Sequence, residues 1–282
     1  MVLQHYNNVK EKISITINEK ILKDIDSIID NIFIRNRSQA IEYLIKKATK
    51  DSKTAVILAD NKESSTRLKN RFALKINRST IIEKAVRKLE NSGFKNIFII
   101  SDHDTLTNIF KIIGDGTDFN VKIEYIDEEI PEGSASALKL LRNKIKTTFL
   151  VVACDIIFDS LDLLSLWQQH LQEKVIATMI VNSSIIISAK KTMFGHVKLE
   201  GKKIISYIEK PLIKNLKSTI FFGSIFVAEP EIFSHHGKSL EVDIFPELAR
   251  KGLLGGQMCS SEHLHIHSYE DLTAVRKKLA GK

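Results

Sequence analysis

Polar and apolar residues alternate strictly along residues 12–17, which is the period of a β-strand with one buried face. The apolar positions are Ile13, Ile15 and Ile17, and the polar positions are Lys12, Ser14 and Thr16. We expect the isoleucines to be buried and the polar side chains to face outward.

Two helical patterns follow this strand. Asn18 is a suitable N-cap for a first helix that ends near residues 30–33. Its apolar stripe consists of Ile21, Ile25, Ile28, Ile29 and Ile32. Ser38 is a suitable N-cap for a second helix, whose stripe consists of Ile41, Leu44, Ile45 and Ala48.

A strand and two amphipathic helices in so short a segment cannot bury their apolar faces alone, so we expect this segment to dimerise by pairing its strand. The order strand, helix, helix over residues 10–49 resembles the ribbon-helix-helix family of dimeric DNA-binding repressors. The resemblance implies that Lys12, Ser14 and Thr16 contact base edges in the major groove of double-stranded DNA. It also implies that the backbone around Arg37 and Ser38 holds a phosphate. Some such segments only dimerise or bind toxins, and that alternative stays open.

The rest of the chain alternates runs typical of buried strands with helical patterns. The strand-like runs cover residues 55–59, 96–101, 121–126 and 148–155. The helical patterns include residues 80–91 and a stretch that begins at Ser134. This order predicts βαβ units, in which ligands bind beyond the carboxyl ends of the strands, near Ala59-Asp60, Ser101-Asp102 and Asp155. After Lys174 the pattern changes to strands and hairpins, with a turn at Gly201. We therefore predict two domains, residues 1–50 and residues 54–282.

Several short motifs follow one another within the second domain. They are Thr66-Arg67-Leu68, the stretch PEGSASAL at residues 131–138, Ala153-Cys154-Asp155, Glu209-Lys210-Pro211 and Phe245-Pro246-Glu247-Leu248. In this order they resemble the sugar-phosphate nucleotidyltransferases. The resemblance implies an α/β fold of the nucleotide-diphospho-sugar transferase type, with a Rossmann-like, mixed but mainly parallel sheet.

The resemblance also implies a reaction in which a sugar phosphate oxygen attacks the α-phosphorus of an NTP and pyrophosphate leaves. Catalysis of this kind depends on positioning and on neutralising negative charge. The catalytic residues it implies are Arg67, Arg71, Asp155 and Lys210. The residues it implies for binding nucleotide or sugar are Ala59, Gly133, Ser134, Glu209 and Gly223.

Two regions depart from the pattern of that family. Residues 59–68, which should cradle the triphosphate, contain no glycine and carry Asp60 and Glu63. The resemblance implies Mg²⁺ bound by Asp155 and a second aspartate, but the second position aligns with His265, and Mg²⁺ prefers oxygen ligands. The histidines His263, His265 and His267 bind a transition metal in one interpretation, and are partly exposed surface imidazoles in the other.

Composition adds limits rather than a function. The 282 residues are 43% hydrophobic and 27% charged, which is typical of a globular protein with one large core and a small appendage. A net charge of +8 suits DNA or phosphorylated ligands, although the lysines are spread along the chain. No membrane helix or signal peptide is apparent, and Cys154 and Cys259 are expected to be free thiols, so we expect a cytoplasmic protein with no membrane partner.

Three hypotheses about function follow. The first is a homodimeric or larger DNA-binding regulator, whose second domain has become a sensor of a nucleotide or nucleotide sugar, or an assembly module. The alternative is an active Mg²⁺-dependent sugar-1-phosphate nucleotidyltransferase with a DNA-binding or dimerising arm. The third is a fusion that binds neither DNA nor nucleotide. The regulator is placed first because residues 10–49 match the ribbon-helix-helix pattern, whereas the phosphate loop at residues 59–68 departs from the nucleotidyltransferase pattern.

Overall fold

A computed structural model describes residues 12–51, 53–59, 70–183, 192–216, 218–259, 264–266 and 269–280. Contacts divide the chain into two compact units, Met1–Thr49 and Lys50–Lys282, each of which is described by itself. The predicted roles of Arg67, His263 and His267 fall outside the described residues, as does the predicted phosphate loop after Ala59.

The first unit begins its regular structure with helix α1, Glu19–Ser27. Asn18 caps this helix as predicted, because its side chain accepts a hydrogen bond of 2.9 Å from the Lys20 amide. The helix ends at Ser27, earlier than the sequence predicts. Asp30 gives the reason, since its Oδ1 accepts hydrogen bonds from the amides of Ile32, Phe33 and Ile34 and so holds this segment in a turn.

Helix α2, Arg37–Asp51, is capped by a different residue from the one predicted. The Asn36 side chain accepts a hydrogen bond of 3.0 Å from the Gln39 amide, so Asn36, and not Ser38, is the N-cap. The guanidinium of Arg37 donates to both carboxylate oxygens of Asp26, at 2.7 and 2.8 Å, and ties the two helices together.

The first unit buries few of its apolar side chains. Among the side chains described there, only Ile25 and Ala40 are buried. Residues 12–18 form no helix or strand in the single chain, and Ile13 and Ile15 are 71% and 54% exposed. The expected burial of these isoleucines is therefore not seen within one chain.

The second unit is an α/β structure whose strands and helices alternate. Its strands are β1 Thr54–Leu58, β2 Lys75–Ile76, β3 Ser79–Thr80, β4 Asn96–Ser101, β5 Lys122–Asp127, β6 Phe149–Ala153, β7 Ile156–Ile157, β8 Ala177–Ser183, β9 His196–Glu200, β10 Lys203–Ile208, β11 Ile220–Ala228, β12 Leu254–Met258 and β13 Leu264–His265. Its α-helices are α3 Ile81–Asn91, α4 His103–Ile113, α5 Ser134–Lys139, α6 Leu163–Gln172, α7 Phe245–Arg250 and α8 Tyr269–Ala280.

Nine of the described strands form one sheet in the order β5-β4-β1-β6-β11-β8-β12-β10-β9. Strands β5, β4, β1 and β6 are parallel, whereas β11 runs antiparallel to both β6 and β8. Strand β10 is antiparallel to β12 and β9, and β8 and β12 are parallel. The predicted mixed sheet is confirmed, with β10 and β11 running against the other strands.

Alternate residues of the central strands pack on opposite faces of this sheet. Ile57 of β1 belongs to one buried cluster and its neighbour Val56 to the other, which places a layer of core on each side. Helix α3 begins with a capping box, in which Thr80 and Glu83 bond each other's backbone amide.

No helix among the described residues is long and apolar enough to cross a membrane.

Candidate active site

A cavity of about 1100 Å³ opens beyond the carboxyl ends of β1 and β6. Leu58 at the end of β1 and Ala153 at the end of β6 form its floor. Its position is the one expected for ligands of an open α/β sheet, and its size suits a ligand larger than a single sugar. We call this cavity the sheet-edge pocket.

One wall of the sheet-edge pocket holds a close ion pair. Arg71 Nη1 lies 2.7 Å from Asp155 Oδ2, and the two side chains are only 9% and 14% exposed. Arg71 begins a short 3₁₀ turn, Arg71–Ala73, after Asn70 adopts a left-handed conformation with φ of 55°. Asp155 lies in the tight turn between β6 and β7, so both partners are held by short backbone elements.

The same wall receives a residue from much later in the chain. Strand β13 pairs with β7 so that His265 lies opposite Ile156, and the Ile266 amide donates to the Asp155 carbonyl at 3.1 Å. His265 therefore lines the pocket beside Asp155.

A second wall is formed by the end of β10. The Tyr207 hydroxyl donates to Glu209 Oε2 at 3.0 Å, and Lys210 Nζ lies 3.6 Å from Glu209 Oε1. Lys210 has a φ of 42°, a left-handed conformation that costs energy in a residue with a side chain, and its amide donates to the Phe194 carbonyl. Burial, followed by the charges of Glu209 and Glu241, raises the pKa of Tyr207 well above its usual value.

A third wall surrounds the start of α5. Gly133 has a φ of 137°, and a Cβ atom there would lie 2.6 Å from the Lys238 carbonyl oxygen, so both conformation and space require glycine. The Ser134 hydroxyl donates to Glu241 Oε2 at 2.6 Å, and the Ala135 amide donates to the Lys238 carbonyl at 2.9 Å. The start of α5 is thereby fixed to the segment that precedes α7.

The sheet-edge pocket brings together most of the site residues named from the sequence. Its lining includes Arg71, Gly133, Ser134, Asp155, Glu209, Lys210 and His265. Two of the named residues do not line it. Ala59 is buried in the core, where its amide donates to Ile100, and Gly223 is buried between the lining residues Phe222 and Ser224 of β11.

The residues named for DNA binding all belong to the first unit, and all are exposed. They are Lys12, Ser14, Thr16, Arg37 and Ser38. Arg37 is engaged by Asp26, an interaction that lowers the pKa of that carboxyl.

Sequence reasoning missed several lining residues of the sheet-edge pocket, among them Gly195, Tyr207, Ser224 and Glu241. The position of Tyr207, two residues before Glu209 in a strand, was a usable signal because alternate strand residues share a face. Ser224 gave none, because it lines the pocket through a left-handed conformation with φ of 58° at an irregularity in the β11 pairing.

The residues beside Asp155 do not fit the Mg²⁺ site with two carboxylates that the family resemblance implies. Asp155 offers oxygen, but Oδ2 already accepts from Arg71, and the second position holds the imidazole of His265. Among the described residues, no group of three or more His, Cys, Asp or Glu side chains is placed to hold a metal ion. No step proposed below therefore depends on Mg²⁺.

Comparison with known proteins shows the family of this chain. The family described as "Nucleotidyl transferase" matches residues 64–252, which is more than half of the chain. The chain belongs to the nucleotidyl transferase family. The matched residues include the ion pair, the start of α5 and the end of β10, whereas His265 lies beyond them.

Two curated proteins are similar in sequence to this chain. The chain is 27% identical over 192 residues to a UTP–glucose-1-phosphate uridylyltransferase of Synechocystis, covering 61% of this chain and 48% of that protein. It is 28% identical over 189 residues to the bifunctional protein GlmU of Methanococcus maripaludis, covering 62% of this chain and 41% of that protein. The chain thus spans less than half the length of either relative.

Solved structures of nucleotidyl transferase relatives share the fold. A protein assigned as a glucose-1-phosphate thymidylyltransferase of Bacillus anthracis superimposes with a TM-score of 0.69 at 22% identity, covering 80% of this chain and 95% of that one. A UDP-glucose pyrophosphorylase complexed with UDP-glucose superimposes with a TM-score of 0.66 at 15% identity, covering 81% and 98%. At these identities the likeness shows the fold alone.

Proposed function

We propose that the second unit binds an NTP and a sugar 1-phosphate in the sheet-edge pocket and transfers the nucleotidyl group between them. The observation that carries this proposal is that one pocket, beside the carboxyl ends of β1 and β6, collects Arg71, Asp155, Glu209 and Lys210. Membership of the nucleotidyl transferase family supports the same chemistry.

In this reaction an oxygen of the sugar phosphate forms a bond with the α-phosphorus, and the bond from that phosphorus to the bridging oxygen of the β-phosphate breaks. Pyrophosphate leaves, and nothing is oxidised or reduced. The cationic side chains Arg71 and Lys210 neutralise phosphate charge. Glu209, with the Ser134 and Ser224 hydroxyls, provides polar groups suited to sugar hydroxyls.

This proposal reverses the order that the sequence suggested, in which regulation came first. The relatives are named as uridylyltransferase, thymidylyltransferase and pyrophosphorylase, and none is named as a DNA-binding protein. The poorly matching phosphate loop lies outside the described residues, so it gives no structural support to a loss of catalysis.

The test measures pyrophosphate release from UTP, dTTP, ATP, GTP and CTP with glucose 1-phosphate and N-acetylglucosamine 1-phosphate. Each reaction is run with Mg²⁺ and with EDTA, so that the result does not presuppose a metal. Lys210→Ala should lower kcat/KM by about tenfold or more because it removes a cation that lines the pocket. Lys214→Ala is the matched control, since Lys214 is exposed and does not line the pocket.

Absence of pyrophosphate release with every pair of substrates would contradict transfer. Thermal unfolding with UDP-glucose and dTDP-glucose then separates two remaining cases, because a bound ligand raises the Tm by mass action. A shift without transfer supports the sensor version of this pocket, and no shift with any nucleotide sugar contradicts nucleotide binding as a whole.

We propose a second function for the first unit: it dimerises through residues 12–17 and binds double-stranded DNA as a ribbon-helix-helix segment. Ile13 and Ile15 support dimerisation, because these apolar residues of the alternating segment are largely exposed in one chain. The side chains of Lys12, Ser14 and Thr16 are exposed too, as base contacts require.

Sedimentation and DNA binding test this second function separately. Ile13→Asp with Ile15→Asp should convert the dimer to a monomer, whereas Lys12→Ala with Thr16→Ala should leave it dimeric and remove its sequence preference among DNA fragments. Specific binding should also weaken steeply with salt, because phosphate contacts release counterions. A monomeric wild-type protein would contradict this function. So would a protein that binds no DNA from upstream of its own gene at low salt.

A further inference from the structure

The ion pair between Arg71 and Asp155 occupies the place where the family resemblance puts a divalent cation. We infer that the guanidinium of Arg71 replaces that cation, so that the sheet-edge pocket binds its nucleotide sugar without a metal ion. The identity of the ligand rests on the function proposed above, whereas the exclusion of the metal rests on the residues alone.

Geometry makes Arg71 a strong competitor for the Asp155 carboxylate. The Nη1 to Oδ2 distance of 2.7 Å is typical of a charge-assisted hydrogen bond, and both side chains are largely buried. A metal ion that displaced Arg71 would break this largely buried ion pair, which is costly because one charge loses its counter-charge in a poorly hydrated wall. Mg²⁺ would in addition have to lose tightly held water molecules in exchange for one carboxylate.

The second ligand position reinforces the exclusion of a hard cation. His265 reaches the wall because β13 pairs with β7, and its imidazole offers nitrogen where Mg²⁺ and Mn²⁺ sites commonly use oxygen. The presence of histidine at position 265 and the pairing of β13 with β7 therefore both affect the wall that contains Asp155.

The other carboxylates of the pocket also have neighbours that satisfy them. Glu209 has Lys210 at 3.6 Å, and Glu132 has Lys238 at 2.7 Å. Glu241 accepts hydrogen bonds from the hydroxyls of Ser134 and Ser239. Each of these carboxylates thus has a partner within the protein, and no three acidic, His or Cys side chains of the described residues gather around one point.

The test titrates Mn²⁺ into the full-length protein without nucleotide and follows free Mn²⁺ by electron paramagnetic resonance. The wild-type protein should not bind Mn²⁺ in the pocket, and Arg71→Gln should bind it at least about tenfold more tightly. The double variant Arg71→Gln with Asp155→Asn should lose that binding again. Circular dichroism of each variant establishes that it is folded, and Asp155→Asn alone serves as a variant with a broken ion pair but no new metal ligand.

Wild-type binding of Mn²⁺ that Asp155→Asn removes would overturn the inference. So would an Arg71→Gln variant that is folded and binds Mn²⁺ no better than the wild type. If Arg71→Gln does not fold, Arg71→Met takes its place, because methionine removes the charge but keeps a long unbranched side chain, and the same comparison applies.

A second measurement tests the ligand part. UDP-glucose and dTDP-glucose should raise the Tm equally in EDTA and in Mg²⁺, and a shift that needs Mg²⁺ would overturn metal-free binding. If neither nucleotide sugar shifts the Tm under any condition, the proposed ligand is wrong. The Mn²⁺ titration still decides whether Arg71 excludes the metal, so the two failures are distinguishable.

Discussion

The backbone of Gly195 lies directly against the hydroxyl group of Tyr207. A methyl group added at the Gly195 Cα would lie 2.0 Å from the Tyr207 Oη and 2.8 Å from Glu209 Oε2. Both neighbours line the sheet-edge pocket, and Tyr207 is almost wholly buried, so neither can move aside without disturbing the wall.

Gly195→Ala should therefore affect stability and ligand binding together. Overpacking of this kind typically costs about 1–3 kcal/mol, and displacement of the Tyr207 and Glu209 side chains should weaken binding of the nucleotide sugar. Thermal unfolding with and without UDP-glucose measures both effects. Gly201→Ala in the β9–β10 hairpin is the control: it is strained by its left-handed φ but has open space around it, and should lower the Tm without changing ligand affinity. Equal ligand affinity in both variants would contradict the prediction.

Tyr207→Phe should change stability most clearly at alkaline pH. Burial, followed by the charges of Glu209 and Glu241, raises the folded-state pKa of Tyr207 above the usual value of about 10. The native protein keeps its phenol proton after the unfolded chain has lost it, so this stability is present below pH 10 and is lost as the pH rises further. The free energy of unfolding should therefore decline more steeply above pH 10 in the wild type than in Tyr207→Phe. Parallel curves would refute the raised pKa.

His170 should act in the opposite direction, at acidic pH. It is buried on α6, where Nδ1 lies 2.9 Å from Thr178 Oγ1 and Nε2 lies 3.1 Å from Glu229 Oε1. Burial lowers its pKa, and the charges of Glu229 and Glu173 oppose this only in part. The unfolded chain binds a proton near pH 6.5 before the native protein does, so stability should fall as the pH drops below that value.

The variant His170→Gln isolates this effect, because glutamine keeps hydrogen-bonding capacity but does not titrate. Its free energy of unfolding should fall less between pH 7 and pH 5 than that of the wild type. An equal fall would mean that His170 adds nothing to the pH dependence, and a larger fall in the variant would mean that the Glu229 carboxylate dominates and favours charged His170 in the native protein. Either result would contradict the prediction.

Because Asn36, and not Ser38, caps α2, alanine substitutions at these two positions should have different effects. Asn36→Ala removes the hydrogen bond to the Gln39 amide and should destabilise the helix by about 1 kcal/mol. Ser38→Ala, at an exposed position inside the first turn, should have almost no effect. Amide hydrogen exchange in the first turn of α2 measures both, and faster exchange in Ser38→Ala than in Asn36→Ala would contradict the assignment.

Much of the second unit could be predicted because its signals are local. The run at residues 96–101 is bounded and rich in isoleucine, and it became β4, while Thr80 and Glu83 formed the capping box that starts α3. Such signals depend on neighbours a few positions away. The direction of β11, which runs against β6 and β8, depends on partners far along the chain, and no local period records it.

The candidate site also contains residues that the sequence predicts and contacts that it does not. Family motifs pointed to Asp155, Glu209 and Lys210, and all three line the pocket. Nothing in the sequence pairs Arg71 with Asp155, because a contact between distant residues is set by the packing of two separate turns. Asn36 was missed for another reason: Asn36 and Ser38 are both good caps, and only the hydrogen bond distinguishes them.

The pairing of β13 with β7 has a consequence for how the protein is made. On the ribosome, a nascent chain that has emerged only through β12 already contains every strand of the nine-stranded sheet and the ion pair between Arg71 and Asp155. The segment that carries His265 and fastens Ile266 to the Asp155 carbonyl has not yet been released. The sheet can thus assemble during translation before the residues that complete one wall of the pocket have been synthesised.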